Sequence, residues 1–523
     1  MLDYLIRNAS VLDGTGREAE KKDIGIRDGK ITENTSCEAR EVIDAEGLTL
    51  TPGFIDVHAH SDVFLFAEPT CENKLLQGIT TEIAGQCGLS PAPFNPEFEK
   101  QYNSYAKAQG APVYPNIQKI TGMAALMDTI DAIKPGINMA LFAAQGMIRL
   151  AAMGLSPAPA GKKEIDRMAG YLREAMEAGA LGFSTGLMYA PGSFSSKEEL
   201  KELAGTNAAA GGTYTSHIRN QGGGLIDSVQ EAIEIAEAGN MSVNISHHKA
   251  VGRGNWGAVR TTSEMIRNCG GTHDVYPYTA SSTTLTATFP PSLMKKGMEY
   301  ILQNLPDRGF REELEQSIFE PAEEWDNDVL ECGYGGILIV SAPKTPDALG
   351  KTIAEYASLK GLRPFDAYCE ILEQNNLAVS DICFSMSEED VSFLLQDPLC
   401  MFGTDSLYIK GFMDMTHPRA TGTFPKILSE YVREKKLISL PEAIRKMTSF
   451  PAERYGLKGK GLIQEGMDAD LVLFDPETIA AGGTYQQPLL PNTGIAYVFV
   501  NGKTAVVNGA ATGTRNGRVV RRS

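Results

Sequence analysis

Residues 52–60 read Pro-Gly-Phe-Ile-Asp-Val-His-Ala-His, the stretch from which the rest of the chain is best read. Side chains alternate across a strand with a period of two, so His58 and His60 leave the same face of a strand over 56–60. Seven further apolar runs of strand length follow: 80–85 (TTEIAG), 137–143 (INMALFA), 181–187 (LGFSTGL), 213–218 (TYTSHI), 242–247 (SVNISH), 273–278 (HDVYPY) and 400–405 (CMFGTD). Helical patterns with acidic starts fall between many of them, around 164–178, 198–210 and 225–238. Eight strands alternating with helices predict an α/β fold, a (β/α)8 TIM-like barrel.

On either side of this alternation the texture changes. The first fifty residues carry short alternating runs around an Asp28-Gly29 turn. The C-terminal end repeats the pattern, with Asn501-Gly502 and Asn508-Gly509 as turn signals. A small β-sandwich domain built from both termini is expected, residues 1–53 and 456–523, around a barrel over 54–455. From about 284 to 344 the alternation breaks at Pro290-Pro291, which reads as an insertion between the seventh and eighth strands, either a lid or a decorative subdomain.

Composition bounds the function. The chain has 523 residues, 42% hydrophobic and 22% charged, which is ordinary for a globular protein. Its 48 basic and 65 acidic residues give a net charge of −17, which argues against nucleic acid or an anionic membrane as partner. Eight cysteines are scattered without a C-x-x-C pair, and there is no signal-peptide pattern and no apolar run of membrane-spanning length. A cytoplasmic protein acting on a small molecule is the expectation.

Only seven histidines are present, and their placement is the strongest signal. His58, His60, His217 and His247 stand at C-terminal strand ends, Cys87 follows the second strand and Asp405 closes the eighth. Barrel enzymes build their sites at that end, and imidazole, thiolate and carboxylate suit zinc. One such residue would read as a satisfied core group or a turn cap; six in register point to a metal site. His248 faces the other way from His247, and His273 opens its strand at the wrong end, so both are expected to be structural. The glycines at 222–224 lack the Lys-Ser/Thr of a phosphate loop and read as a loop before a helix.

PGFIDVHAH with its downstream strand–Asp ending resembles the amidohydrolase superfamily. GITTEIAGQCGLSPAP (78–93), GLMYAPG (186–192), TSHIRNQ (215–221), ISHHKAVG (245–252), DVYPYTAS (274–281) and HPRATGTFP (417–425) narrow the resemblance to the D-aminoacylases, the N-acyl-D-amino-acid deacylases. KMTSFPAERYGLKGKGLIQEGMDADLVLFDP (446–476) is similar to the usual exit from such barrels into the sheet domain. The resemblance implies that Cys87, His217 and His247 hold a tightly bound Zn2+. His58 and His60 match a second, weaker position, and Asp405 matches the catalytic carboxylate. Lys249, Arg419, Tyr189 and Tyr278 match groups that bind the substrate's α-carboxylate. Tyr276 shares a face with Tyr278 if the strand is regular, so spacing does not choose between them. Many relatives bridge two metals with a carboxylated lysine on the fourth strand, whereas LGFSTGLMY offers none, and Cys87 could supply the anionic ligand instead.

These parts make a hydrolase. Zinc lowers the pKa of bound water to about 7 and polarises an amide carbonyl. Asp405 can act as general base and then acid, a role typically worth about 10² to 10⁴ in rate. The expected reaction is metal-dependent hydrolysis of N-acyl-D-amino acids, the D preference resting on the resemblance alone. The rivals are a cyclic amidase opening hydantoin or dihydropyrimidine rings, and a non-catalytic scaffold on the same fold. The missing strand-four lysine together with Lys249 and Arg419 argues against the first, and retention of every ligand and of Asp405 against the second.

Overall fold

The computed structural model of the chain describes residues 1–108, 115–321, 325–407 and 415–522. Its central strands are Phe54–Asp56, Ile79–Ala84, Asn138–Leu141 (continued by Ala143–Ala144), Gly182–Gly186, Thr213–His217, Val243–Ile245, Thr272–Val275 and Cys400–Phe402. Each pairs in parallel with the next. The ring closes between eighth and first: Val57 N donates to Phe402 O, Asp405 N donates to His58 O, and Ala59 bridges Ser406 in parallel. A barrel is the outcome because these strands, buried along their length, have helices rather than solvent outside them.

The helices start and stop where local chemistry dictates. Ser196 Oγ accepts the Glu199 N–H and opens Lys197–Ala209. Lys162–Ala178 buries Met168, Leu172 and Ala175, spaced four and three apart on one face, and ends at Gly179 in the left-handed region (φ 103°).

Both termini contribute to one small β unit, in which nine strands form a single hydrogen-bonded sheet. Strand Leu2–Val11 is its pivot, pairing with Glu20–Arg27 along one edge and with Ala39–Asp44 and then Thr49–Pro52 along the other. Leu471–Phe474 joins Thr49–Pro52, which brings the C-terminal strands into the same sheet. Ile6, Ile24, Ile26 and Leu50 from the N-terminal strands and Leu471 and Phe499 from the C-terminal ones share one buried apolar core. Asp28-Gly29, Asn501-Gly502 and Asn508-Gly509 all adopt positive φ at both positions, as two-residue hairpin turns require.

Between the seventh and eighth barrel strands lies a unit with its own sheet, Ser281–Thr284, Ser380–Cys383 and Ile337–Ser341, all antiparallel. Helices including Arg308–Phe319 and Pro364–Gln374 pack on it around a separate core of Leu285, Phe289, Ile339, Tyr356, Tyr368 and Leu372. This unit is longer than the 284–344 stretch expected from sequence, three of whose residues, 322–324, lie outside the described residues. Residues 353–383 carry ordinary helix–strand alternation and so read like barrel, yet their strand completes the inserted sheet.

Candidate metal centre

The barrel strands end in backbone that turns side chains into the mouth. Cys87, His247 and Asp405 all sit in the left-handed region, at φ 53°, 35° and 47°, a few residues after the second, sixth and eighth strands. Non-glycine residues rarely adopt this conformation, and three at one site mark a place where backbone strain is tolerated to aim side chains. Close neighbours permit it. A Cβ at Gly403 would lie 2.6 Å from His58 Cβ, and one at Gly186 would lie 2.0 Å from the Cys87 carbonyl oxygen.

The result is a convergence of donors. Ligand atoms of His58, Cys87, His247 and Asp405 all lie within 4.8 Å of one another. His58 Nε2 is 3.2 Å from Cys87 Sγ, His247 Nε2 is 3.5 Å from the same sulfur, and His60 Nε2 is 3.3 Å from Asp405 Oδ1. The His217 ring lies against that of His247, with centroids 4.4 Å apart, and neither of its nitrogens is engaged by a well-aligned hydrogen bond. All six sequence-predicted residues are thus brought together and buried. Among the described residues no other group of three or more His, Cys, Asp or Glu converges in this way.

Electrostatics keep Cys87, His247 and Asp405 in ligating form, while the anions around His58 and His60 favour the protonated form of those two imidazoles. Burial alone would raise the Cys87 thiol, but His58, His217 and His247 hold it well below the usual thiol range. Burial, with Lys249 and His217 nearby, holds His247 down at about 3. Burial would also raise Asp405, yet Arg419, His247 and His60 keep it well below the usual carboxylate range. His60 rises to about 9 despite burial, because Asp405 and Cys87 surround it. A borderline-soft cation fits this set of nitrogen, sulfur and oxygen donors, and the unengaged His217 nitrogens fit it too.

A cavity of about 120 Å³ opens beside the cluster, lined by Lys249, Arg419, Tyr189, Tyr276, Asp326 and Ser282 among others. Arg419 Nη1 lies 2.8 Å from Asp405 Oδ2 and Nη2 donates to Ser282 O. Lys249 Nζ donates to Gln221 Oε1 (3.0 Å) and lies 2.9 Å from His247 Nδ1. Burial pushes this ammonium down to about 8. Tyr189 donates to or accepts from Thr283, linking the loop after the fourth strand to the inserted sheet.

Tyr278 departs from expectation. Its hydroxyl turns to the Pro418 carbonyl, its ring packs on His417 and Tyr485, and it does not line the cavity. The seventh strand ends at Val275 and Tyr278 N bonds back to Tyr276 O, so the period of two that would put both tyrosines on one face is broken. Tyr276 occupies the cavity wall instead, its ring under the Arg419 guanidinium at 4.6 Å and near the Lys249 ammonium at 5.7 Å.

Two supporting residues were missed from sequence. Asp274 Oδ1 accepts from the backbone N–H of His247 and lies 3.3 Å from His58 Nδ1, so one carboxylate ties the His247 backbone to the His58 imidazole. Gln221 bonds Lys249 and His247. A charged residue inside an apolar strand, and an amide just past the strand ending in His217, were the available signals. His248 and His273 pack on each other away from the cluster, His248 bonding Thr262. Gly222 and Gly224 donate to Asn220 Oδ1 just before helix Leu225–Ala238. No helix among the described residues is long and apolar enough to cross a membrane.

Residues 41–263 and 352–506 match the Amidohydrolase family; the unmatched stretch between them falls mainly on the inserted unit. Over 529 residues the chain is 33% identical to the N-acyl-D-glutamate deacylase of Alcaligenes xylosoxydans xylosoxydans, covering 100% of this chain and 97% of that one. It is 30% identical over 535 residues to the D-aminoacylase of the same organism, covering 100% and 98%. The crystal structure of N-acyl-D-glutamate deacylase from Bordetella bronchiseptica, complexed with zinc and a phosphonate mimic of the tetrahedral intermediate, is similar with a TM-score of 0.83. Identity there is 33%, over 99% of both chains. The chain belongs to the amidohydrolase family.

Proposed function

We propose that this protein hydrolyses the amide bond of N-acyl-D-amino acids, releasing a carboxylate and the free D-amino acid. One observation carries the reading: a His–Cys–Asp cluster of metal-ligating geometry shares a cavity with Lys249, Arg419 and Tyr276. The full-length likeness to an N-acyl-D-glutamate deacylase and a D-aminoacylase supports the same reaction class. The absence of lysine from the fourth strand, Gly182–Gly186, favours linear over cyclic amides.

Cys87, His217 and His247 are assigned as holders of a tight zinc, with His58 and His60 at a second, weaker position. When bound, the metal would supply a Lewis acid for the amide oxygen and lower the pKa of water. Asp405, kept ionised by Arg419, takes the proton of the attacking water and returns it to the amide nitrogen as the C–N bond breaks. Lys249 and Arg419 hold the α-carboxylate, Arg419 with two parallel donors, Tyr189 bounds the site and Tyr276 supports both cations from below. Bringing a substrate carboxylate to Arg419 would draw the guanidinium from Asp405 and free that carboxylate to accept a proton.

The test is release of amine from N-acetyl-D- and N-acetyl-L-amino acids, run as enantiomeric pairs with zinc-loaded protein and an Asp405→Asn control. Turnover of the D member, lost in the control, is expected. Turnover of hydantoins or dihydropyrimidines instead would overturn the reading.

A further inference from the structure

A second cavity adjoins the catalytic one. Its volume is about 240 Å³, twice that of its neighbour, and it is walled chiefly by apolar side chains such as Leu155, Leu187, Phe194, Phe289, Met298 and Trp325. Tyr105, Met188, Tyr189 and Thr284 line both cavities and form the neck between them. The polar groups on the chamber wall are largely committed. Arg219 is spent on Glu231 and on the carbonyl oxygens of Ser193 and Ser195, and the Thr284 and Thr286 hydroxyls bond each other.

We propose that this chamber receives the acyl group of the substrate, and that the enzyme prefers N-acyl-D-amino acids bearing extended or aromatic apolar acyl groups over N-acetyl ones. The inference rests on the deacylase reading and adds the class of acyl donor to it. Position makes the assignment. Lys249 and Arg419, which hold the carboxylate, and Tyr276 beneath them line only the catalytic cavity, together with Asp326, Asp328 and hydroxyls from the inserted sheet. That polar space suits the amino-acid half. The anchors reach the cluster at His247 and Asp405, whereas the neck meets it at His217, whose ring stands 4.9 Å from that of Tyr189. An amide carbonyl placed at the cluster carries its nitrogen toward the carboxylate anchors and its acyl substituent away from them, toward the neck.

The test holds the amino acid as D-alanine and lengthens the acyl group from acetyl through butanoyl and hexanoyl to octanoyl. Burying a methylene is worth about 0.8 kcal/mol, so kcat/KM should rise about three- to fourfold per methylene until the chamber fills. Ala287→Trp, on the chamber wall and remote from the carboxylate anchors, should abolish that rise and leave N-acetyl-D-alanine turnover unchanged; Met294→Trp is the second variant if the first misfolds. A flat profile, or a rise that survives both substitutions, would overturn the proposal. Calorimetric binding of N-octanoyl-D-alanine reads the chamber without turnover: it should weaken at least tenfold in Ala287→Trp, and equal affinity would refute the assignment. Absence of turnover of every member of the acyl series alongside chamber-dependent binding would fault the deacylase reading and leave the chamber's ligand class standing.

Discussion

Two buried clusters of charged and polar side chains sit a few residues apart on the same barrel strands, and they are built on opposite plans. In one, Lys74 Nζ is 2.7 Å from Asp56, 3.1 Å from Glu82 and 2.8 Å from Thr404 Oγ1. Asp56 also accepts from Thr404 N, and Glu82 accepts from the N–H and hydroxyl of Ser61. Lys74, Asp56, Glu82 and Thr404 are all fully buried and partnered, on ordinary backbone. In the other, two residues along at His58, five along at Cys87 and one along at Asp405, donors crowd one point, imidazole nitrogens of His217 go unengaged, and three residues hold left-handed backbone. Burial of charge alone therefore does not mark a functional site. Unmet valence on strained backbone does.

The contrast is broken most severely from the closed side. Lys74→Met strands two buried carboxylates and should cost about 3–5 kcal/mol in chemical denaturation. Cys87→Ala in metal-free protein should cost clearly less; an equal loss would erase the distinction between the clusters. Next in size, Arg419→Gln removes a charged two-donor contact and the cation that keeps Asp405 ionised, and should lower kcat/KM for N-acyl-D-amino acids by a factor worth about 1.5–3 kcal/mol, through both KM and kcat in steady-state kinetics.

A smaller effect tests a third, partly exposed charge cluster that ties the termini together. Asp468 meets Lys30, Lys460 and Arg518 at 2.7–2.9 Å. Burial would raise it, but Lys460 and Lys30 hold it at about 2, against an ordinary 3.8. Its folded pKa is depressed, so its stabilisation is present above about pH 4 and lost as pH falls toward 2. Asp468→Asn should cost about 1–3 kcal/mol at pH 7, discounted because Lys30 and Arg518 are half exposed, and the difference from wild type should vanish near pH 2. The smallest effect separates the two tyrosines. Tyr278→Phe should change KM less than about twofold, whereas Tyr276→Leu removes the ring beneath both cations and should raise KM several-fold, in line with about 0.5–2 kcal/mol for such contacts.

Much of this was legible in sequence where the physics is local. The parity of His58 and His60, the Asn-Gly and Asp-Gly turns and the strand-end placement of Cys87, His217, His247 and Asp405 depend on short-range periodicity, and the barrel follows from it. What escaped depends on where regularity stops. Tyr278 was misplaced because the seventh strand ends at Val275, a boundary set by the Tyr278–Tyr276 backbone bond. The reach of the inserted sheet to Cys383 is a long-range pairing with Ile337–Ser341, invisible to a local pattern. Asp274 and Gln221 act through contacts with His58, His247 and Lys249 that only the closed barrel creates.

The most direct test of the account is zinc content after exhaustive dialysis, measured by mass spectrometry on wild type, Cys87→Ser and Lys74→Met. Wild type should keep at least one zinc per chain, Cys87→Ser should lose it, and whatever fraction of Lys74→Met folds should retain it. A wild type that emerges without zinc, or a Cys87→Ser protein that keeps its full complement, would contradict the assignment of the unmet cluster as a metal centre.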